Sequence, residues 1–158
     1  MLSILTIPNP LLLQKSIAVT FPLSLAHKKL ALELLEYVQK DKGSAGLAAP
    51  QTDNLLQIIV VTDKDRKPRV MVNPQIVFAS PKQTQMEEGC LSIPKKLYTI
   101  ERPFAIKVAY QNLKGRKMIE SLQGWEARIV QHEVDHLNGV LIDRLGPEFT
   151  PESTENLL

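Results

Sequence analysis

Two of the chain's three histidines, His132 and His136, stand four residues apart in Gln131-His132-Glu133-Val134-Asp135-His136. On an α-helix that spacing turns two side chains only about 40° apart and stacks them one turn above each other, so both imidazoles can grip a single cation. Glu133 points about 100° away from its neighbour, off the axis of ligation but within reach of a water on the metal. The layout suits metal-assisted hydrolysis. Two imidazoles do not hold a catalytic ion, so a third protein ligand is expected, with a fourth position left for water. His27, the single cysteine Cys90 and the carboxylates are the candidates. Cys90 is favoured, because a thiolate binds zinc or ferrous iron well and the adjacent Gly89 permits close approach.

The pattern needs a helix, and the residues before it supply one. Trp125, Ile129, Val130 and Val134 fall at spacings that make a buried stripe, and Asn138-Gly139 is a stop signal. A helix is therefore expected over about residues 124–137, with Val134 and Leu137 as core. Upstream, Ser24 caps a second, amphipathic helix over 25–40, whose Leu25, Leu30, Leu32, Leu34, Leu35 and Val38 alternate with charged positions. His27 belongs to its solvated side. Pro8, Pro10 and Pro22 make residues 1–24 an extended arm, tacked down by Ile4, Leu5, Ile7 and Leu11 to Leu13.

Residues 41–51 read as a loop of small residues ending in Gln51, an uncharged donor and acceptor. Strands are expected at 56–62, 69–74 and 75–79, with 82–86 as a polar connection, and a hairpin pairs 103–110 with 117–122 around Asn112 to Gly115. Val140-Leu141-Ile142 is a short apolar run, and Pro147 and Pro151 exclude a long helix over 145–158.

Nineteen basic and 17 acidic residues leave a net charge of +2 without a basic run, so a nucleic-acid footprint is not indicated. One cysteine rules out an internal disulfide framework and fits a reducing compartment. No stretch approaches about 18 apolar residues and the start lacks a charged leader region, so a soluble, cytoplasmic protein without membrane contact is expected. A single domain over residues 1–158 is expected, large enough to bury about two thirds of its extended surface.

Three stretches, Gly46-Leu47-Ala48-Ala49-Pro50-Gln51, Glu88-Gly89-Cys90-Leu91-Ser92 and Gln131 to His136, occur in the order of the three signature motifs of the peptide deformylases, and the chain resembles that family. Weaker likeness runs through the proline-bearing arm, the early helix and the Gly124-Trp125-Glu126-Ala127-Arg128 lead-in. The resemblance implies an α+β fold, with antiparallel sheets packed around the central metal-binding helix. It implies one divalent ion on Cys90, His132 and His136, natively ferrous iron, with zinc, nickel or cobalt as substitutes. The implied reaction removes the formyl group from the N-terminal formyl-methionine of new polypeptides: a water acidified by the cation gives its proton to Glu133 and attacks the formyl carbon. Gln51 and the backbone N–H of Leu91 would stabilise the developing oxyanion, and Glu133 would return its proton to the leaving amine. Gly46 would let the substrate pair as an added strand, with Gly89 also at the substrate. Trp125, Arg128 and Ile129 would line the apolar pocket for the methionine side chain.

Ser44 and Leu97 depart from the family pattern, the latter standing where many bacterial members carry arginine, while Arg102 fits it and is expected to pair with Asp135 and brace the metal helix. The resemblance also implies transient ribosome association, although the short proline-bearing tail stands where bacterial members often carry a docking helix. The implied partners are N-formylmethionyl nascent peptides, and a bacterial, phage or organellar source would fit. A general zinc peptidase and a metal-stabilised binding module are competing readings. Cys90 argues against the first, and the presence of both Glu133 and Gln51 against the second.

Overall fold

Successive side chains of Ile58-Ile59-Val60-Val61 point to opposite faces of a strand, and all four are buried. A strand apolar on both sides must be covered on both sides. The computed structural model, which describes residues 2–151, does this with one helix per face. Ile58 and Val60 meet Leu30, Ala31, Leu34 and Val38 of α1 (Leu25–Lys40), whereas Ile59 and Val61 meet Ala127, Ile129, Val130 and Leu137 of α2 (Gly124–Leu137).

The sheet between the helices has five strands in the order β1 (Gly46–Ala48), β2 (Ile58–Thr62), β3 (Pro68–Ala79), β6 (Ala105–Gln111) and β7 (Lys117–Gln123), every pairing antiparallel. A second sheet joins β4 (Gln83–Cys90), β5 (Ile93–Pro103) and the short β8 (Glu148–Phe149). Its core is Ile93, Tyr98 and Ile100 against Leu12, Leu141 and Ile142, which uses the short apolar run after α2. The α+β architecture expected from the sequence is the one observed.

Several elements differ from expectation. Of the expected connection over 82–86, residues 83–86 are instead the start of β4. The Gln83-Thr84-Gln85-Met86-Glu87 run has no apolar alternation because it lies largely in solvent, and it is a strand because β5 pairs with it from Gln83 opposite Pro103 to Glu88 opposite Tyr98. The small-residue loop contains β1 and a 3-10 turn over Ala49–Thr52. Residues 69–74 and 75–79 form the single strand β3, irregular at Asn73, whose φ is +52° and whose amide side chain accepts from Val19 N–H and donates to Val19 O, both at 2.8 Å. Leu25 and Leu32 of α1 are exposed, as are Ile7 and Leu13 of the arm. Trp125 is 38% exposed rather than core, and Val134 is only partly buried. The tail from residue 152 on lies outside the described residues. No helix among the described residues is long and apolar enough to cross a membrane.

The arm and the end of α2 hold the site-bearing segments together. Leu5 N–H donates to Gln51 O at 2.7 Å, Ile7 N–H to Ser92 O at 3.0 Å, and Ser16 N–H to Leu137 O at 2.8 Å. The arm therefore fastens three segments that carry candidate site residues. Gly139 ends α2 at φ +70°, where a Cβ would run into the Leu13 carbonyl. Only glycine allows the arm to cross there.

Candidate metal centre

Cys90 ends β4, and His132 and His136 lie one turn apart on α2, their ring centroids 5.2 Å apart and edge to face. One donor atom from each of the three residues falls within 4.8 Å of the others. Cys90 Sγ is 3.4 Å from His136 Nε2. His132 Nδ1 sits 2.8 Å from Glu88 Oε1. An ionised carboxylate only accepts, so Nδ1 carries the proton and Nε2 is left as the donor toward a cation. A thiolate with two imidazoles is a donor set for zinc or ferrous iron, and three convergent protein ligands leave room for water or substrate. His27 lies on α1, outside this cluster.

Glu133 is 4% exposed, and its Oε2 has no hydrogen-bond partner among the described residues. Burial pushes its carboxyl up to about 7, against the pull of the His132 charge and with that of the Glu88 charge. It is thus poised to exchange a proton near neutrality. The two histidines diverge. Burial opposes the His132 imidazolium, but the hydrogen bonds it donates to Cys90 and Glu88 and the charge of Glu133 outweigh it and raise this group to about 10 while Nε2 is free to take a proton. His136 is held well below the usual range by burial and by the charge on His132. Its Nδ1 is buried without a partner among the described residues.

Gly46 touches the Glu133 carboxylate directly. A Cβ there would lie 2.8 Å from Glu133 Oε1 and 2.9 Å from Val60 O, so no larger residue fits without displacing the carboxylate or the strand. Thr62 N–H donates to Ala45 O at 2.9 Å, which makes 45 and 62 a hydrogen-bonded pair. By the antiparallel alternation, Gly46 opposite Val61 then turns its own N–H and C=O away from β2, toward the open edge. Ser44 Oγ donates to that carbonyl at 3.0 Å. Gln51, 2% exposed, is locked by the Ala48 N–H donating to its Oε1 at 3.0 Å. Its Nε2 donates to Ser92 Oγ at 3.1 Å and lies 3.8 Å from Cys90 Sγ.

These residues share one cavity of about 720 Å³, lined by Gly46, Gln51, Gly89, Cys90, Leu91, Trp125, Arg128, Ile129, His132 and Glu133. His136 is buried behind it. Leu97 also lines the cavity and packs against Gly89, where a Cβ would meet it at 3.2 Å. Arg128 contributes to the wall, but its guanidinium is bonded to Glu88, Thr84 and Ile100. Arg102 and Asp135 do pair, with Arg102 Nη1 donating to Asp135 Oδ2 at 2.7 Å.

Glu88 opens the second motif, yet the sequence does not state its role in the site. It is buried at the centre of a cluster of Arg102, Arg128 and His132, and although burial works against the carboxylate, the hydrogen bonds from His132 and Arg102 hold it down at about 2. The available signal was its place two residues before Cys90 at the end of the same strand, where the β4–β5 register shifts between the two.

The polypeptide deformylase family model matches residues 1–149. The peptide deformylase of Thermotoga neapolitana is 50% identical over 103 residues, which cover 65% of this chain and 62% of that protein. The match thus spans less than two thirds of that curated relative's length. The crystal structure of peptide deformylase from Thermotoga maritima is similar with a TM-score of 0.86 at 38% identity, over 92% of this chain and 97% of that one. The Met-Ala-Ser-bound crystal structure of class I type b peptide deformylase from Acinetobacter baumannii has a TM-score of 0.83 at 32% identity, over 92% and 98%.

Proposed function

The chain belongs to the polypeptide deformylase family, and on that premise we propose that it hydrolyses the formamide of N-formylmethionyl nascent peptides, releasing formate and a free amino terminus. The observation that carries the reading is the convergence of the Cys90, His132 and His136 donor atoms, within 4.8 Å of one another, beside the buried Glu133 carboxylate. Cys90, His132 and His136 would hold a divalent ion, for which ferrous iron suits the donor set, with zinc, nickel or cobalt as substitutes. Such an ion supplies Lewis acidity toward water and toward a carbonyl oxygen.

The chain's own residues perform the remaining work. Glu133, with its carboxyl near 7, takes the proton of the attacking water as the oxygen adds to the formyl carbon. Negative charge then develops on the formyl oxygen. Gln51 Nε2 and the Leu91 N–H donate to it, and the fixed Ala48 contact keeps the Gln51 amide from turning over. As the C–N bond breaks, Glu133 passes its proton to the departing amine. The open edge of Gly46 offers a backbone donor and acceptor to an extended peptide, with Gly89 lining the same cavity, and Trp125 and Ile129 give the wall its apolar character. The Met-Ala-Ser found in the Acinetobacter relative is a peptide of the class such a cleft would release.

The test is selectivity. Protein loaded with iron, nickel, cobalt or zinc is expected to release formate from formyl-Met-Ala-Ser while leaving acetyl-Met-Ala-Ser and internal peptide bonds intact. Cleavage of internal bonds would instead indicate a zinc peptidase, and no formate with any of the four metals would overturn the assignment.

A further inference from the structure

Two arginines serve one buried carboxylate, and they stand on different bodies. Arg102, on β5, grips Glu88 of the neighbouring strand through Nε to Oε2 at 2.6 Å and Nη2 to Oε1 at 3.0 Å, which by itself fixes the carboxylate within the hairpin. Arg128 is on α2, one turn before His132, and its Nη1 donates to the same Oε2 at 2.6 Å. The rest of its guanidinium reaches both strands of the hairpin: Nη1 donates to Ile100 O at 3.1 Å, and Nη2 to Thr84 O at 2.8 Å and Thr84 Oγ1 at 3.2 Å. The Arg128 side chain is 8% exposed and that of Glu88 6%, so these bonds compete little with water.

The candidate metal ligands divide along the same line. Cys90 belongs to the β4–β5 hairpin, and His132 and His136 belong to α2. Their mutual spacing therefore depends on how the hairpin seats on the helix. Arg128 and His132, at i and i+4 on one helix face, hold the two oxygens of Glu88 from the helix side.

We propose that Arg128 is a positioning residue that clamps the β4–β5 hairpin to α2, and so sets the geometry in which Cys90 meets His132 and His136. The inference rests on these three residues being the metal ligands. It gives Arg128 a role beyond the cavity wall, because its charge is directed into the Glu88 cluster and across to Thr84 and Ile100. The planar, five-donor fork of arginine suits a site that must serve three separate acceptor groups; a lysine would retain the charge without the span.

The experiment measures Co2+ affinity by competition with a chromophoric chelator, together with the ligand-field spectrum of the bound ion, for the wild type, Arg128→Met, Arg128→Lys and Val38→Ala. Val38 is buried against the opposite face of the five-stranded sheet and serves as a control that lowers stability without touching the clamp. Arg128→Met is expected to weaken Co2+ binding by roughly 10- to 100-fold and to alter the spectrum. Arg128→Lys should fall between it and the wild type, and it carries the test alone if the methionine variant does not fold. Val38→Ala should melt earlier with wild-type affinity and spectrum. Wild-type affinity and spectrum in both Arg128 variants, or equal weakening in Val38→Ala, would overturn the positioning role while leaving the metal centre intact. A wild type that binds no Co2+ would remove the metal centre itself, and this role with it.

Discussion

Ile129 is 7% exposed on α2, three residues before His132, and it faces the same cavity. Replacing it with phenylalanine adds volume to that wall, and the proposed role predicts a higher KM for formyl-methionyl peptides with kcat less affected. Unchanged kinetics would exclude Ile129 from the pocket. Arg102 shares its charge between Glu88 and Asp135, and its side chain is 6% exposed. Arg102→Ala leaves a buried carboxylate without its bidentate partner, so a loss of about 3–5 kcal/mol in stability is expected, with weaker metal retention. Urea melts and metal analysis check both, and undiminished retention would show that Arg102 does not brace the ligands. At this scale the ligand set was legible because the histidine spacing states its geometry outright. The role of Glu88 was not, because it arises from Arg102 and Arg128, which lie 14 and 40 residues away and meet it only in the fold.

β6 and β7 meet β3 through a polar group set among apolar neighbours. Tyr110 Oη donates to Glu120 Oε2 at 2.6 Å, and Arg69 grips both oxygens of the same carboxylate at 3.1 Å. Burial, together with the hydrogen bond and charge of Glu120, pushes the Tyr110 phenol up to about 12. The neutral phenol is therefore favoured in the folded chain. Stability from this source is intact below the ordinary tyrosine value near 10 and is lost as pH rises from there through about 12. Tyr110→Phe should accordingly be less stable than wild type at pH 8, and that difference should shrink in melts at about pH 11. A constant difference would contradict the shifted phenol. The elements themselves were unevenly legible. α2 and β2 follow from their own apolar patterns, whereas the first half of β4 is a strand only because β5 pairs with it. Trp125 fits the helical stripe by spacing, yet it lines the cavity and stays partly exposed, since periodicity gives a face and not what covers that face.

The molecule as a whole brings two sheets and a helix to one line. The five-stranded sheet contributes Gly46 at its β1 edge, the smaller sheet contributes Glu88 and Cys90, and α2 contributes His132, Glu133 and His136. The arm ties Gln51, Ser92 and the end of α2 together, so residues far apart in the chain share one cavity. The central claim is that this assembly binds a metal and that Glu133 then moves the proton. The most direct measurement is formate release from formyl-Met-Ala-Ser by anaerobically purified wild type and Glu133→Gln, with bound metal determined in both. Turnover in the wild type with about one ion per chain, and a fall of at least about 100-fold in the variant while its metal stays bound, is the predicted result. Turnover that survives in Glu133→Gln, or metal binding without any turnover in the wild type, would contradict it.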